Sequence, residues 1–231
     1  MKKKKHVDAV LRVHPFPTLI AQTLHLVELA SGADPAGIQV LPKSAVVFAA
    51  MSLECAATSC LELAKIPEQP FSKIETLSVL DKFDMLQWFA TRTPLDRSRQ
   101  VVQKIRDLIA VRNGLVHARV KREPFGPVRE FAAGEGFEAP VDKSLWNSLR
   151  IPKDERSWHG EHAKHAITAA VEFLNYFFFE ACKLEQNTVV QMLSTSSGTV
   201  IFQTPWEKEI LSEAERRFGL KLRFLGFPIG R

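Results

Sequence analysis

Residues 97–119 read R-S-R-Q-V-V-Q-K-I-R-D-L-I-A-V-R-N-G-L-V-H-A-R. Apolar side chains recur at Val101, Val102, Ile105, Leu108, Ile109 and Leu115, the three-to-four spacing of one helix face. Pro94 and Asp96 just before them mark a helix start. The segment predicts a helix over 97–119 whose apolar stripe needs partners. The neighbouring segments offer them as further helices, so the expected fold is mainly α, an antiparallel helical bundle.

Working backwards, Thr18 caps a first helix ending near Ala30, with residues 1–17 a flexible leader in which Pro15 and Pro17 block early helix. Pro42 suits the first turn of a second helix over 43–65. Residues 45–51 are apolar all round, which places that helix centrally. Ser72 with Glu75, or Ser78 with Asp81, caps a third helix ending near Ala90.

Working forwards, 123–157 is rich in proline and glycine and reads as a long loop, with a short helical piece over 143–149. A fifth helix over 161–184 carries Phe173, Leu174, Tyr176, Phe177, Phe178 and Phe179 around its girth, which suggests two buried faces. Residues 186–231 read as a small C-terminal α+β appendage. Its β-prone runs are 188–193 and 199–203, joined as a hairpin, with a third strand over 220–225. Thr204 and Glu207 bracket a capping box for a helix to Phe218, stopped by Gly219. The expected division is therefore a leader over 1–17, a bundle over 18–185 and an appendage over 186–231.

Hydrophobic residues make up 45% of the 231 residues, enough for a sizeable core. Cys55, Cys60 and Cys182 are odd in number, form no C-x-x-C and lie in apolar runs, as buried reduced thiols do. No apolar stretch follows Lys2–Lys5 as a signal peptide would require. Glu172, Asn175 and Glu180 interrupt the apolar run 166–184, so no membrane span is expected there. Localisation is expected to be cytoplasmic, with no membrane partner.

The net charge of +5 is uneven. Residues 91–129 hold ten basic residues against three acids, which leaves the rest of the chain net negative. A basic block on an otherwise acidic chain provides a local field for phosphates, while a solvated helix face is the plainer explanation.

Within that block, Arg112, Asn113 and His117 fall inside six positions. Cutting RNA without a metal needs a base for the 2′-hydroxyl, a cation for the phosphate and an acid for the leaving oxygen. Histidine titrates near neutral pH, arginine matches two phosphate oxygens, and an asparagine amide holds either the imidazole or the phosphate. On a straight helix Arg112 and His117 lie roughly 140° apart, whereas Asn113 and His117 share a face. Convergence needs a long reach by Arg112, a distortion near Gly114, or a second chain. A helix-terminal histidine favoured by the dipole, and an arginine in a structural ion pair, are the alternatives.

Glu54 has no basic neighbour one turn away, so if buried it needs a tertiary partner, expected to be Arg112 or His117. Arg119, Lys121 and Arg122 serve either as phosphate contacts or as a solvated helix end. His159, His162 and His165 straddle a helix start without a fixed carboxylate or thiolate, so a metal site is disfavoured and no cofactor is expected. Trp146 and Trp158 suit base stacking or, more simply, packing. The common phosphate-loop and hydrolase signatures are absent from the sequence.

The R-N-x-x-x-H motif of Arg112, Asn113 and His117 resembles that of the HEPN superfamily (higher eukaryotes and prokaryotes nucleotide-binding). The order of helices around it is similar. A helix bearing L-E-C-A-A at 53–57 comes first and one bearing L-D-K-F at 80–83 follows. Then come the motif helix and an aromatic-rich helix entered through Ser157 and Trp158. The resemblance covers about residues 42–185. It implies an all-α bundle that dimerises along the motif helices. Many members are metal-independent ribonucleases of toxin–antitoxin and defence systems, and others are non-catalytic scaffolds for a protein or nucleotide. The implied partners are RNA, a second copy of the chain, and an antitoxin or regulatory protein.

Overall fold

The structure, a computed structural model, describes residues 15–32, 40–63, 73–117, 143–193 and 205–226. It is mainly α. The helices are α1 (Phe16–Gly32), α2 (Val40–Leu63), α3 (Val79–Thr91), α4 (Gln100–Val116), α5 (Gly160–Asn175), α6 (Gln186–Leu193), α7 (Pro205–Ser212) and α8 (Ala214–Phe218). A π-helical turn, Tyr176–Ala181, continues α5. The one sheet among the described residues is a two-stranded antiparallel hairpin of β1 (Leu145–Trp146) and β2 (Ile151–Pro152).

The chain divides into two compact units. The first comprises 1–21, 52–95 and 174–231. Its core is aromatic. Phe83 meets Phe177 edge-on at 4.7 Å, Phe177 meets Phe178 at 5.3 Å, and Phe16 meets Phe224 at 5.6 Å. Edge-to-face pairs of this kind bring the positive ring edge to the negative face, in addition to the area they bury.

Phe16 corrects the expected leader boundary. It is fully buried and begins α1, and Pro17 takes a first-turn position where its missing N–H costs nothing. The Ser78 alternative is the cap that forms on α3. Ser78 Oγ accepts from the Asp81 N–H at 3.3 Å and donates to the Asp81 carboxylate at 2.6 Å. Beyond that helix, Asp84 accepts from the Leu95 N–H at 2.7 Å and fixes the exit of the chain.

The C-terminal segment, the small appendage of a mainly α fold, groups with this unit. Residues 188–193 lie in α6, not a strand, because Val189 and Leu193 at helical spacing both find the core. Residues 223–225 form a 3-10 turn, not a strand. Gln186 donates to its Arg223 carbonyl at 2.9 Å, and Asn175 donates to the carbonyl of Lys221 just before it at 2.8 Å. The Arg223 guanidinium also stacks 4.4 Å over the Phe179 ring. The expected strand 199–203 and the capping residue Thr204 lie outside the described residues. The helix behind them runs in two pieces, α7 and α8, and stops at Gly219 in the left-handed region (φ 74°), as expected.

Cys60 and Cys182 are buried, and burial pushes both thiols up, that of Cys182 to about 12. Cys55, half-buried, is raised to about 11 by the same cause. Buried, reduced thiols were expected from their positions.

The second unit comprises 22–51 and 96–173. Leu24, Val27, Val46, Ala49, Ile105, Leu108, Ile167 and Phe173 are buried in it. Gly160 opens α5 where an added Cβ would meet Ser31 Oγ at 2.8 Å, so the two segments approach only because no side chain is there. The short helical piece expected over 143–149 is instead the hairpin. Leu149 and Ile151 are buried, and Trp158 donates from Nε1 to the Pro152 carbonyl at 2.7 Å. Alternation on a pleated turn buries these side chains where a helix would have exposed half of them.

By length and composition α2 is apolar enough to cross a membrane, but 61% of that window is buried inside the protein, as in a core helix.

Candidate functional site

The site begins with the register of α4. Val102, Ile105, Leu108 and Val111 are its buried residues, spaced three apart, so one stripe faces the core. Val111 belongs to that stripe although the sequence pattern favoured Leu115, which is only half-buried. The helix begins at Gln100 rather than Arg97. Asp96 forms a turn in front of it, accepting from the Ser98 N–H at 3.0 Å and the Ser98 hydroxyl at 2.6 Å. Those two hydrogen bonds, ahead of nearby Arg99, hold the Asp96 carboxyl below the usual carboxylate range.

With the core stripe settled, the other face of the last turn is directed outward. Asn113, Gly114, Val116 and His117 are exposed and Arg112 is half-buried. Arg112 donates from Nη1 to Asn113 Oδ1 at 3.0 Å. His117 is the C-cap (φ −110°, ψ 51°), and its backbone N–H donates to the Asn113 carbonyl at 3.0 Å. That is an ordinary i to i+4 bond, so the helix passes Gly114 without the distortion considered for it. A Cβ built on Gly114 meets nothing within 4 Å. A regular helix leaves Arg112 and His117 roughly 140° apart around the axis. One chain therefore brings Arg112 to Asn113, sets Asn113 and His117 on one face, and does not aim all three at one point.

Glu54 is half-buried rather than buried. In its own unit it meets the ammonium of Lys82 at 3.7 Å, and that lysine is only 3% exposed. The burden of a buried charge thus falls on Lys82, which the sequence pattern did not single out. Arg119, Lys121 and Arg122 lie outside the described residues.

The three histidines do come together. The His159 and His162 rings lie 4.0 Å apart, and His162 and His165 6.4 Å apart. His162 Nδ1 accepts from the His159 N–H at 3.1 Å, which requires that nitrogen to be unprotonated. Burial first, then the neighbouring His159 and His165, pull its pKa down to about 4, against a smaller opposing effect of Glu161. This is a neutral imidazole capping a helix start. Among the described residues no group of three or more His, Cys, Asp or Glu is arranged to hold a metal ion. Of the tryptophans, Trp158 is buried and packs, while Trp146 is half-buried with the Lys153 ammonium 5.9 Å from its ring.

Sequence reasoning missed a cleft of about 380 Å³ in the second unit. Gln100 and Lys104 from α4, Asn147 to Arg150 from the hairpin turn, and His165 with Thr168 from α5 line it. Its residues come from three distant segments with no motif between them, so no local signal marks it.

No family model, curated protein or solved structure matches this chain.

Proposed function

We propose that the chain is a metal-independent endoribonuclease of the HEPN type, acting as a homodimer in a toxin or defence role. The observation that carries this is the exposure of Asn113 and His117, with Arg112 beside them, on the outward side of the last turn of α4. Catalytic groups must reach a polymer too large to enter a closed pocket.

In the proposed reaction a His117 imidazole removes the 2′-hydroxyl proton. The 2′-oxygen attacks the adjacent phosphorus, the bond to the 5′-oxygen breaks, and a second imidazole protonates that leaving oxygen. The products are a 2′,3′-cyclic phosphate and a 5′-hydroxyl. Arg112 offsets charge on the phosphorane-like transition state. The divergence of Arg112 and His117 on one helix supports a site completed by a second copy, which supplies the second imidazole.

The test is a pair of matched substrates without added metal. An RNA oligonucleotide should be cut to cyclic-phosphate ends, and its 2′-O-methyl counterpart should stay intact. Cleavage of both would remove the 2′-hydroxyl from the mechanism.

A second reading, a non-catalytic binding module, is favoured by the bond from Arg112 to Asn113 Oδ1, which gives both side chains an internal partner. Under it the same surface holds a protein or a nucleotide, and neither oligonucleotide is cut.

A further inference from the structure

The outward face of α4 continues well beyond the candidate site. Arg106, Ala110, Asn113 and His117 are all exposed and follow one another at spacings of four, three and four. At about 100° per residue they lie within roughly 40° of one line along the helix. Gln103 and the N-cap residue Arg99 extend that line backwards. The line carries two guanidinium groups and no carboxylate. It also carries no large apolar side chain. Val116, which is exposed, stands about 100° to one side of it.

These residues discriminate between kinds of partner. The centre of a protein interface is apolar or aromatic, and this line offers nothing of that kind. A polyanion needs spaced cations, hydrogen-bonding groups and room for its backbone. Between the cations and His117, Ala110 and Gly114 raise nothing larger than a methyl group, and the space above Gly114 is open. The Arg106 side chain is 67% exposed, and its guanidinium bonds only loosely to Asp107, at 3.4 Å. That carboxylate is already held by Ser148 Oγ at 2.5 Å. An exposed pair of this kind gives up little when a phosphate takes its place. Arg99 is more committed, since Asp96 lies 3.6 Å from it.

We infer that Arg106, with a smaller contribution from Arg99, holds phosphates of an RNA strand laid along α4, at a distance from the bond that is cut. This deepens the ribonuclease reading and rests on it. Arg106 precedes His117 by eleven residues. On a helix that is about 16 Å along the axis, so Arg106 cannot touch the reacting phosphate. It is a positioning residue, which fixes the strand so that one phosphate falls at the last turn. Val116 leaves a separate side of that turn for a second copy of the chain.

Fluorescence anisotropy of the full chain tests this with a 2′-O-methyl RNA, which cannot be cut, of about 16 nucleotides, the upper site size for a single-strand track. Arg106→Gln removes the charge, keeps a good helix former and should melt like the wild type. It should bind about fivefold more weakly, the upper end for an exposed charge contact. Its slope of log affinity against log salt should be shallower by about 0.7, the share of one phosphate. Arg99→Gln should lose less. Arg216→Gln removes a comparably exposed cation from the other unit and should bind like the wild type. Three results would each overturn the inference: no saturable binding by the wild type, unchanged binding by Arg106→Gln, or an equal loss in Arg216→Gln, which would reduce the effect to net charge. Cleavage of the 2′-hydroxyl counterpart is scored separately. Cutting with no loss in Arg106→Gln sinks the track alone, and the predicted binding losses without any cutting sink the ribonuclease reading alone.

Discussion

Gly114→Ala separates what the helix needs from what the site needs. Gly114 lies in the last turn of α4, three residues before the cap, in a stretch with regular hydrogen bonding through Val116. A Cβ there meets nothing within 4 Å, so the substitution carries no steric penalty. Glycine in a helix loses more backbone freedom on folding than alanine, at a cost of about 0.5–1 kcal/mol. Alanine should therefore stabilise the protein by about that amount. For a chain of this length that is a rise of about 1–4 °C in Tm. Thermal unfolding followed by helical circular dichroism, checked by urea titration, reads it directly. If RNA approaches the last turn closely, the same variant should cut RNA more slowly despite its higher Tm, because the added methyl group projects from the exposed turn that also carries Asn113 and His117. A fall in Tm would refute the reasoning, since it would mean that the backbone at Gly114 is not helical.

The His162 imidazole should make stability pH-dependent. Its folded pKa, near 4, is below the unfolded value of 6.5, so its contribution is complete above pH 6.5 and lost as pH falls towards 4. Urea midpoints of the wild type should fall across that window, and those of His162→Gln should fall less; equal slopes would contradict this. Lys82 and Glu54 should respond unequally. Glu54→Gln leaves a buried ammonium with less compensation and should destabilise by about 1–2 kcal/mol, reduced from the fully buried case because Glu54 is partly solvated. Lys82→Met, which removes the buried charge itself, should be near neutral or stabilising in the same chemical denaturation assay, and a loss as large as that of Glu54→Gln would contradict the burial argument.

The helices were legible because their signals are local. Ser78 with Asp81 predicted the start of α3, and Gly219 predicted the stop of α8. What failed were short elements decided by tertiary context. Residues 188–193 have β-prone side chains, yet burial of Val189 and Leu193 made them helical. The turn around Arg150 is fixed by Ser148 reaching Asp107 across 41 residues, which no window of sequence displays. At the candidate site, the positions of Arg112, Asn113 and His117 on the helix end were readable, since they follow from helix period alone. The ion pair from Lys82 to Glu54 was not, because Lys82 comes from another helix and its burial depends on packing. The end of the fifth helix was placed well, but its change into a π turn at Tyr176–Ala181 was not. There the Cys182 N–H reaches the Phe177 carbonyl at 2.9 Å, five residues back, in a segment whose Phe177 and Phe178 are both buried.

The central claim is that Arg112 and His117 cut RNA. The direct measurement is a digest of total cellular RNA in excess chelator by purified wild type, Arg112→Ala and His117→Ala, each first shown to melt like the wild type. Cleavage by the wild type, with a loss of at least a hundredfold in rate in both variants, is the predicted result, in line with removal of a general acid–base or a charge-stabilising group. Intact RNA in all three digests, or the same products at the same rate, would contradict it.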